Sequence, residues 1–333
     1  MKPRSCFLVL PALLTLACEG EEVTAGLGEP IRVEDNLRNQ PAQFRPEPLP
    51  GLPPLTAQEI NDGVLPISPN ITASDTTGRS IHPGQTGKKI SGRASQDALS
   101  VGIALEGLGS GYWLFPVGAS DAQYDGEFFW DSLISFADDI PPGNHRLLFA
   151  AIDPSGASGN QLGLSLCLLP KVPDNANACD PKAAPPSVVV SLDWDRNLDL
   201  DLQVRAPNGK LIDAKTPSSA IGVDGAKPDP KAPGVGVLEN DSNSQCLRDG
   251  PRRENAVWQT KPFPGTYALY VNLFDACGEP SVRFNVAIYQ SVPGDAPDTF
   301  RQVESFRQSG TVIAPQANGG SKTGLFVTEF NIN

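Results

Sequence analysis

Between Leu192 and Val204 the chain alternates. Leu192, Trp194, Leu198, Leu200, Leu202 and Val204 hold even positions, and Asp193, Asp195, Asn197, Asp199, Asp201 and Gln203 hold odd ones. A period of two belongs to an extended strand, whose successive side chains point to opposite faces. Shorter versions of the pattern recur at Val101–Leu105, at Leu147–Ile152, and at Leu164, Leu166 and Leu168 with Ser165 and Cys167 between them. Turn signals separate them, among them Asp125-Gly126, Pro141-Pro142-Gly143 and Ser155-Gly156. With 33 prolines and 32 glycines in 333 residues, apolar runs stay short, and the fold class is all-β. The length suits two domains. The expectation is two tandem Ig-like or jelly-roll-like β-sandwiches, at 72–169 and 187–333.

The N-terminus speaks to compartment. Lys2 and Arg4 precede the apolar stretch Phe7–Leu16, which is too short to span a bilayer and reads as a cleaved leader over residues 1–17. Leu14-Thr15-Leu16-Ala17-Cys18 resembles the lipobox of bacterial lipoproteins. That resemblance implies a lipid, palmitate among its chains, on Cys18. Several acyl chains would make the attachment effectively permanent. Glu19, by analogy with enteric sorting, points to the outer membrane. The expected location is therefore the bacterial cell envelope, with the membrane as a partner through the lipid.

Residues 18–71 are acidic and then proline-rich, with Pro41, Pro46, Pro48, Pro50, Pro53, Pro54, Pro66 and Pro69. Such a segment buries little and reads as a disordered, extended tether. A second proline-rich stretch, 170–186, is the expected linker between the sandwiches. A Pro/Gly/Lys/Asp loop between Asp213 and Val237 is longer than most connections in compact domains. The two halves also echo each other. Trp130 followed by Pro142-Gly143 and a strand ending at Asp153 matches Trp258 followed by Pro264-Gly265 and a strand ending at Asp275.

The formal net charge is −12, and loss of Lys2 and Arg4 with the leader makes it more negative. Such a balance repels phosphate backbones and excludes nucleic acid as a partner. Of six cysteines, Cys6 leaves with the leader and Cys18 carries lipid. The other four, Cys167, Cys179, Cys246 and Cys277, read as two disulfides with three connectivities open. Zinc finds no C-x-x-C or H-x-x-x-H spacing. Cys179 falls in the linker and Cys167 on the strand just before it. Their pairing would pin the linker to the first sandwich.

The second half resembles the bacterial YfaP-like family, a domain of unknown function found in exported proteins. The matching residues are Leu192-Asp193-Trp194, Asp199-Leu200-Asp201-Leu202-Gln203-Val204 and Pro207-Asn208-Gly209. Asp241-Ser242-Asn243 with Cys246, Glu254-Asn255-Ala256-Val257-Trp258, Pro264-Gly265-Thr266-Tyr267 and Cys277-Gly278 follow in order. The resemblance implies a β-sandwich with a Cys246–Cys277 bridge. It implies no reaction.

The row Asp193, Asp195, Asn197, Asp199, Asp201 and Gln203 is the candidate site. On one extended strand these residues share a face, where carboxylates two residues apart repel and a hard cation would relieve them. Asp241, Asn243 and Glu254 could add oxygens toward the six to eight that Ca²⁺ takes. The EF-hand pattern fails, because Leu198 stands at the glycine position and Val204 at the final glutamate. The plainer alternative is a solvated strand face. Catalytic signals are weaker still. His82 and His145 sit in turn contexts, no G-x-S-x-G elbow occurs, and oxidised cysteines make no nucleophile. The expectation is a non-catalytic module binding an envelope protein, peptide or glycan, with a metal-assisted hydrolase using the acids of the second domain as the alternative.

Overall fold

A computed structural model describes residues 26–34, 42–120, 123–222 and 227–333. The expected leader, residues 1–17, and Cys18 lie outside the described residues. Alternation builds an all-β chain whose described residues form a large apolar core in each half, with a small separate cluster of Tyr112, Ala150 and Ile152 in the first.

The first half contains β1 (Ile31–Glu34), β2 (Gln43–Arg45), a short helix α1 (Ala57–Asn61), β3 (Ile71–Thr76), β4 (Ser80–Ile81), β5 (Lys88–Ser95), β6 (Ser100–Leu105), β7 (Tyr112–Pro116), β8 (Glu127–Phe136), β9 (Gly143–Ile152) and β10 (Leu162–Leu168). A four-stranded sheet in the order β1-β8-β5-β3 faces a six-stranded sheet in the order β2-β7-β6-β9-β10-β4. The core follows the parity of each strand: Leu164, Leu166 and Leu168 are buried on β10. Trp130 lies between Phe149 and Phe115, at ring-centroid distances of 5.1 and 6.1 Å.

This half begins well before the position expected from sequence, and 18–71 is not a free tether over its described part. Strand β1 pairs antiparallel with β8, with Ile31 opposite Phe136, and Ile31 and Val33 are buried. Strand β2 pairs with β7. The proline run is fastened by side chains: Gln161 donates to the Leu49 and Pro50 carbonyls, and Asn160 donates to that of Pro53. Proline is barred from sheet interiors but tolerated beside edge strands, and β1 and β2 are both edges. A count of prolines therefore mistook an edge segment for a spacer.

The second half contains β11 (Val188–Trp194), β12 (Asp199–Arg205), β13 (Leu211–Ile212), β14 (Gly236–Leu238), β15 (Arg253–Trp258), β16 (Gly265–Asp275), β17 (Ser281–Pro293), β18 (Phe300–Ile313) and β19 (Leu325–Ile332). A five-stranded sheet, β14-β15-β11-β17-β18, faces a four-stranded one, β13-β12-β16-β19. Trp258 meets Tyr267 edge-on at 5.6 Å, and Tyr267 stacks on Phe330 at 5.1 Å. The echo has a structural basis. Gly143 and Gly265 open β9 and β16 with φ of 130° and 135°, and each strand lies between two neighbours of its sheet.

The alternating run is not one strand. The chain turns at residues 195–198 and crosses from the five-stranded sheet, which ends at Trp194, to the four-stranded sheet, which starts at Asp199. Both inner faces meet the same core, so Leu192 and Leu200 still pack together in it. The odd residues are separated: Asp193 and Asp195 go with one sheet, Asp199, Asp201 and Gln203 with the other.

The linker is ordered and tied at both ends. Cys167 and Cys179 are bonded, with Cα atoms 5.7 Å apart. Asp174 accepts from the Ala176 and Ala178 amides, which shapes a tight turn. Gln302 donates to the Pro173 carbonyl, and the Phe300 amide to that of Pro181.

Candidate cation site

Strand β12 is buried on both faces. Its inner face is leucine and valine. Its outer face carries Asp199, Asp201 and Gln203, which are only 2%, 5% and 4% exposed. The solvated strand face expected as the plainer alternative is therefore not what forms. Two coverings enclose these residues. One is the segment before β19, whose Gly324 amide donates to Gln203 Oε1 at 2.9 Å. A Cβ at Gly324 would lie 2.2 Å from the Val271 carbonyl oxygen, so only glycine lets the segment approach this closely. The other covering is the loop between β14 and β15, which carries Asp241, Ser242 and Asn243.

That loop is held tightly. Cys246 is bonded to Cys277 at the far end of β16, with Cα atoms 5.6 Å apart. Asn243 donates to the Leu198 carbonyl at 3.1 Å, and its Oδ1 accepts from the Asp249 amide. Gln245, in the left-handed region at φ 53°, donates its amide to Asp199 Oδ2 at 2.7 Å. On the strand side, Asn272 donates to Asp201 Oδ2 at 3.0 Å and in turn accepts from Asn318.

Carboxylate oxygens of Asp199, Asp201 and Asp241 come within 4.8 Å of one another. Asp199 and Asp201 are buried and Asp241 is exposed. Burial and mutual repulsion disfavour the charged forms. Burial first, then the charges of Asp201, Asp241 and Asp275, raise Asp199 from 3.8 to about 7 against the Gln245 hydrogen bond. Burial chiefly raises Asp201 to about 6, with Asp241 and Asp213 adding to it and Asn272 and Lys215 opposing. Asp199 Oδ1 is enclosed and has no hydrogen-bond partner. Three oxygens of high charge density converge here.

Of the residues expected to form the site, Asp199, Asp201 and Asp241 converge. Asp193 and Asp195 do not: they follow β11 into the other sheet. There Asp193 accepts from Asn285 at 3.0 Å and lies 3.9 Å from Arg253, and Asp195 accepts from the Arg283 amide. Glu254 lies beneath the cluster with both carboxylate oxygens occupied, Oε2 by the Leu202 amide at 2.7 Å and Oε1 by the Ser242 amide at 3.2 Å. It positions the strand and the loop. Asn243 is likewise occupied in holding the loop. Sequence reading missed Asn272, Gln245 and Asn318, whose roles depend on pairing register and on one backbone amide. His82 is exposed, and His145 bonds the Pro141 carbonyl. Among the described residues there is also a cleft of about 1010 Å³ where the linker meets the second half, lined by His82, Lys171, Asn175, Glu239, Arg252 and Arg253 among others; none of the three clustered aspartates lines it.

The fold and site define an all-β chain of four sheets and two disulfides, with an acidic cluster in its second half of which Asp199 and Asp201 are buried and Asp241 is exposed. No family model and no curated protein matches the sequence. Among solved structures it is similar to dimeric latent PorU from Porphyromonas gingivalis, at 12% identity and a TM-score of 0.23, over 78% of this chain and 21% of that one. The chain thus spans about a fifth of PorU. It is also similar to the C-terminal domain of the Streptococcus agalactiae AgI/II polypeptide BspA, at 8% identity and a TM-score of 0.23 over 71% of this chain and 95% of that one. A third is the C-terminal domain of the Streptococcus pyogenes antigen I/II-family protein AspA, at 10% identity and 0.23 over 70% and 94%.

Proposed function

We propose that the chain is a lipid-anchored module of the bacterial cell envelope with a non-catalytic binding or structural role, attached through Cys18 and destined for the outer membrane. The observation that carries this reading is the burial of Asp199 and Asp201, two of the three clustered acids. Asp199 and Asp201 are 2% and 5% exposed, so their carboxylates meet loops and strands and not a substrate. A metal-assisted hydrolase needs an open coordination position facing a cleft, and the roomy cleft lies elsewhere. The acids therefore serve the fold. Two disulfides support an oxidising compartment. The YfaP-like sequence pattern of the second half supports an exported domain.

The ligand, an envelope protein, peptide or glycan, would be held at the cleft beside the linker, where Lys171, Arg252 and Arg253 mix with Glu239. Two measurements test the proposal. Cys18→Ser should move the protein from the membrane to the soluble fraction and abolish labelling by a palmitate analogue; an unlabelled wild type overturns the anchor. A photo-crosslinker at Lys171 of the full chain should capture an envelope component that Arg252→Glu loses. Capture unaffected by that change would remove the cleft as the binding seat.

A further inference from the structure

We propose that Asp199, Asp201 and Asp241 form a calcium site that fastens the loop between β14 and β15 onto β12. The inference rests on the reading of these acids as structural.

Geometry carries it first. Their carboxylate oxygens lie within 4.8 Å of one another. One ion with metal–oxygen distances of about 2.3–2.6 Å can span such a set, and Mg²⁺, which sheds its waters reluctantly, is disfavoured where two of the three carboxylates are buried. The donors are all oxygen. The two cysteines at the rim are bonded to each other, and neither described histidine is part of the cluster. Soft or borderline metals therefore lack their preferred ligands.

An independent observation points the same way. Asp199 is 98% buried by exposure, its Oδ2 takes the Gln245 amide, and its Oδ1 is enclosed without any hydrogen-bond partner. A buried charged acceptor left bare costs several times what a paired one does. A cation between it and Asp201 removes that cost. Asn318 Oδ1 is a second enclosed, unpaired oxygen in the same network, joined to Asp201 through Asn272. Asp241 is exposed and supplies the entry side. Glu254, with both oxygens on backbone amides, sets the spacing of strand and loop from below and is not a ligand.

The test uses the metal-stripped full chain and CaCl₂ in a calorimetric titration. Wild type should bind one equivalent, with Kd at or below about 10⁻⁴ M, toward the tight end of extracellular modules because three carboxylates contribute. MgCl₂ should bind at least tenfold more weakly. Asp199→Asn/Asp201→Asn should abolish binding, and Asp241→Asn, on an exposed residue, should weaken it more than tenfold. Asp193→Asn/Asp195→Asn should bind as wild type. Absence of calcium binding in folded wild type, or binding retained in the Asp199/Asp201 double variant, overturns the site. Crosslinked capture at the cleft is read separately, so a failed cation site and a failed binding module give different outcomes.

Discussion

Glu254 and Leu202 join the two sheets of the second sandwich: the side chain on β15 reaches across and takes the Leu202 amide of β12 at 2.7 Å. Strand β13 pairs with β12 only at Val204 and Arg205, so this edge of β12 has no strand partner at Leu202. A fully buried carboxylate takes the place of that partner, and its other oxygen holds Ser242. Glu254→Ala leaves two buried amides unpaired. At about 1–3 kcal/mol each, the expected loss is about 2–6 kcal/mol. Glu254→Gln keeps one acceptor and should lose less. Denaturant unfolding ranks the three proteins, and an alanine variant as stable as wild type contradicts the strut.

The acidic cluster gives the metal-free chain an inverted pH profile. Asp199 and Asp201 are raised from 3.8 to about 7 and about 6, first of all by burial. Between the unfolded and folded values the folded state binds more protons, so stability falls as pH rises. Their contribution is fully present below 3.8 and is lost as pH climbs through about 7. In chelator, the melting temperature of the second half should drop across that window, and millimolar calcium should restore it at the upper end. Asp199→Asn/Asp201→Asn should make the profile shallower, leaving the slope that belongs to Glu254, whose carboxyl burial also holds well above its usual value. Identical profiles for variant and wild type would contradict the assignment.

The Cys246–Cys277 bond closes a separation of 31 residues. By loop entropy, Cys246→Ser/Cys277→Ser should cost on the order of 3–4 kcal/mol. It should also weaken calcium binding, because Gln245, whose amide orients Asp199, sits next to Cys246. Titration of the double variant under conditions where it is folded separates the two effects. Wild-type affinity would mean that the bond does not set the loop.

Ile31 is a core residue of the first sandwich, 2% exposed on β1. Ile31→Ala should cost about 2–4 kcal/mol, somewhat softened at a sheet edge. The same substitution in a free tether would change nothing, so chemical denaturation of the first half decides between the two arrangements.

What the sequence disclosed and what it withheld divide along physical lines. Alternation and turn residues disclosed the all-β class, the core leucines of β10, and Trp130 as a core aromatic. The Cys167–Cys179 bond followed from its two ends lying on adjacent segments. Alternation could not show that Leu192 and Leu200 belong to different sheets, because both inner faces meet one core and the parity survives the crossing at 195–198. For the same reason four aspartates looked like one row when they divide two and two between the sheets. The covering of Asp199 and Asp201 by Asn243, Gln245 and Gly324 is long-range and left no local signal. Proline density hid β2, and the acidic residues around β1 hid that strand, both being edge strands, which tolerate what interior strands exclude.

The most direct measurement is an X-ray structure of the full chain crystallised with calcium, with anomalous data. The account predicts one anomalous peak among Asp199, Asp201 and Asp241, with carboxylate oxygens at about 2.3–2.6 Å from it. A short carboxyl–carboxylate hydrogen bond between Asp199 and Asp201, with no peak between them, would contradict it.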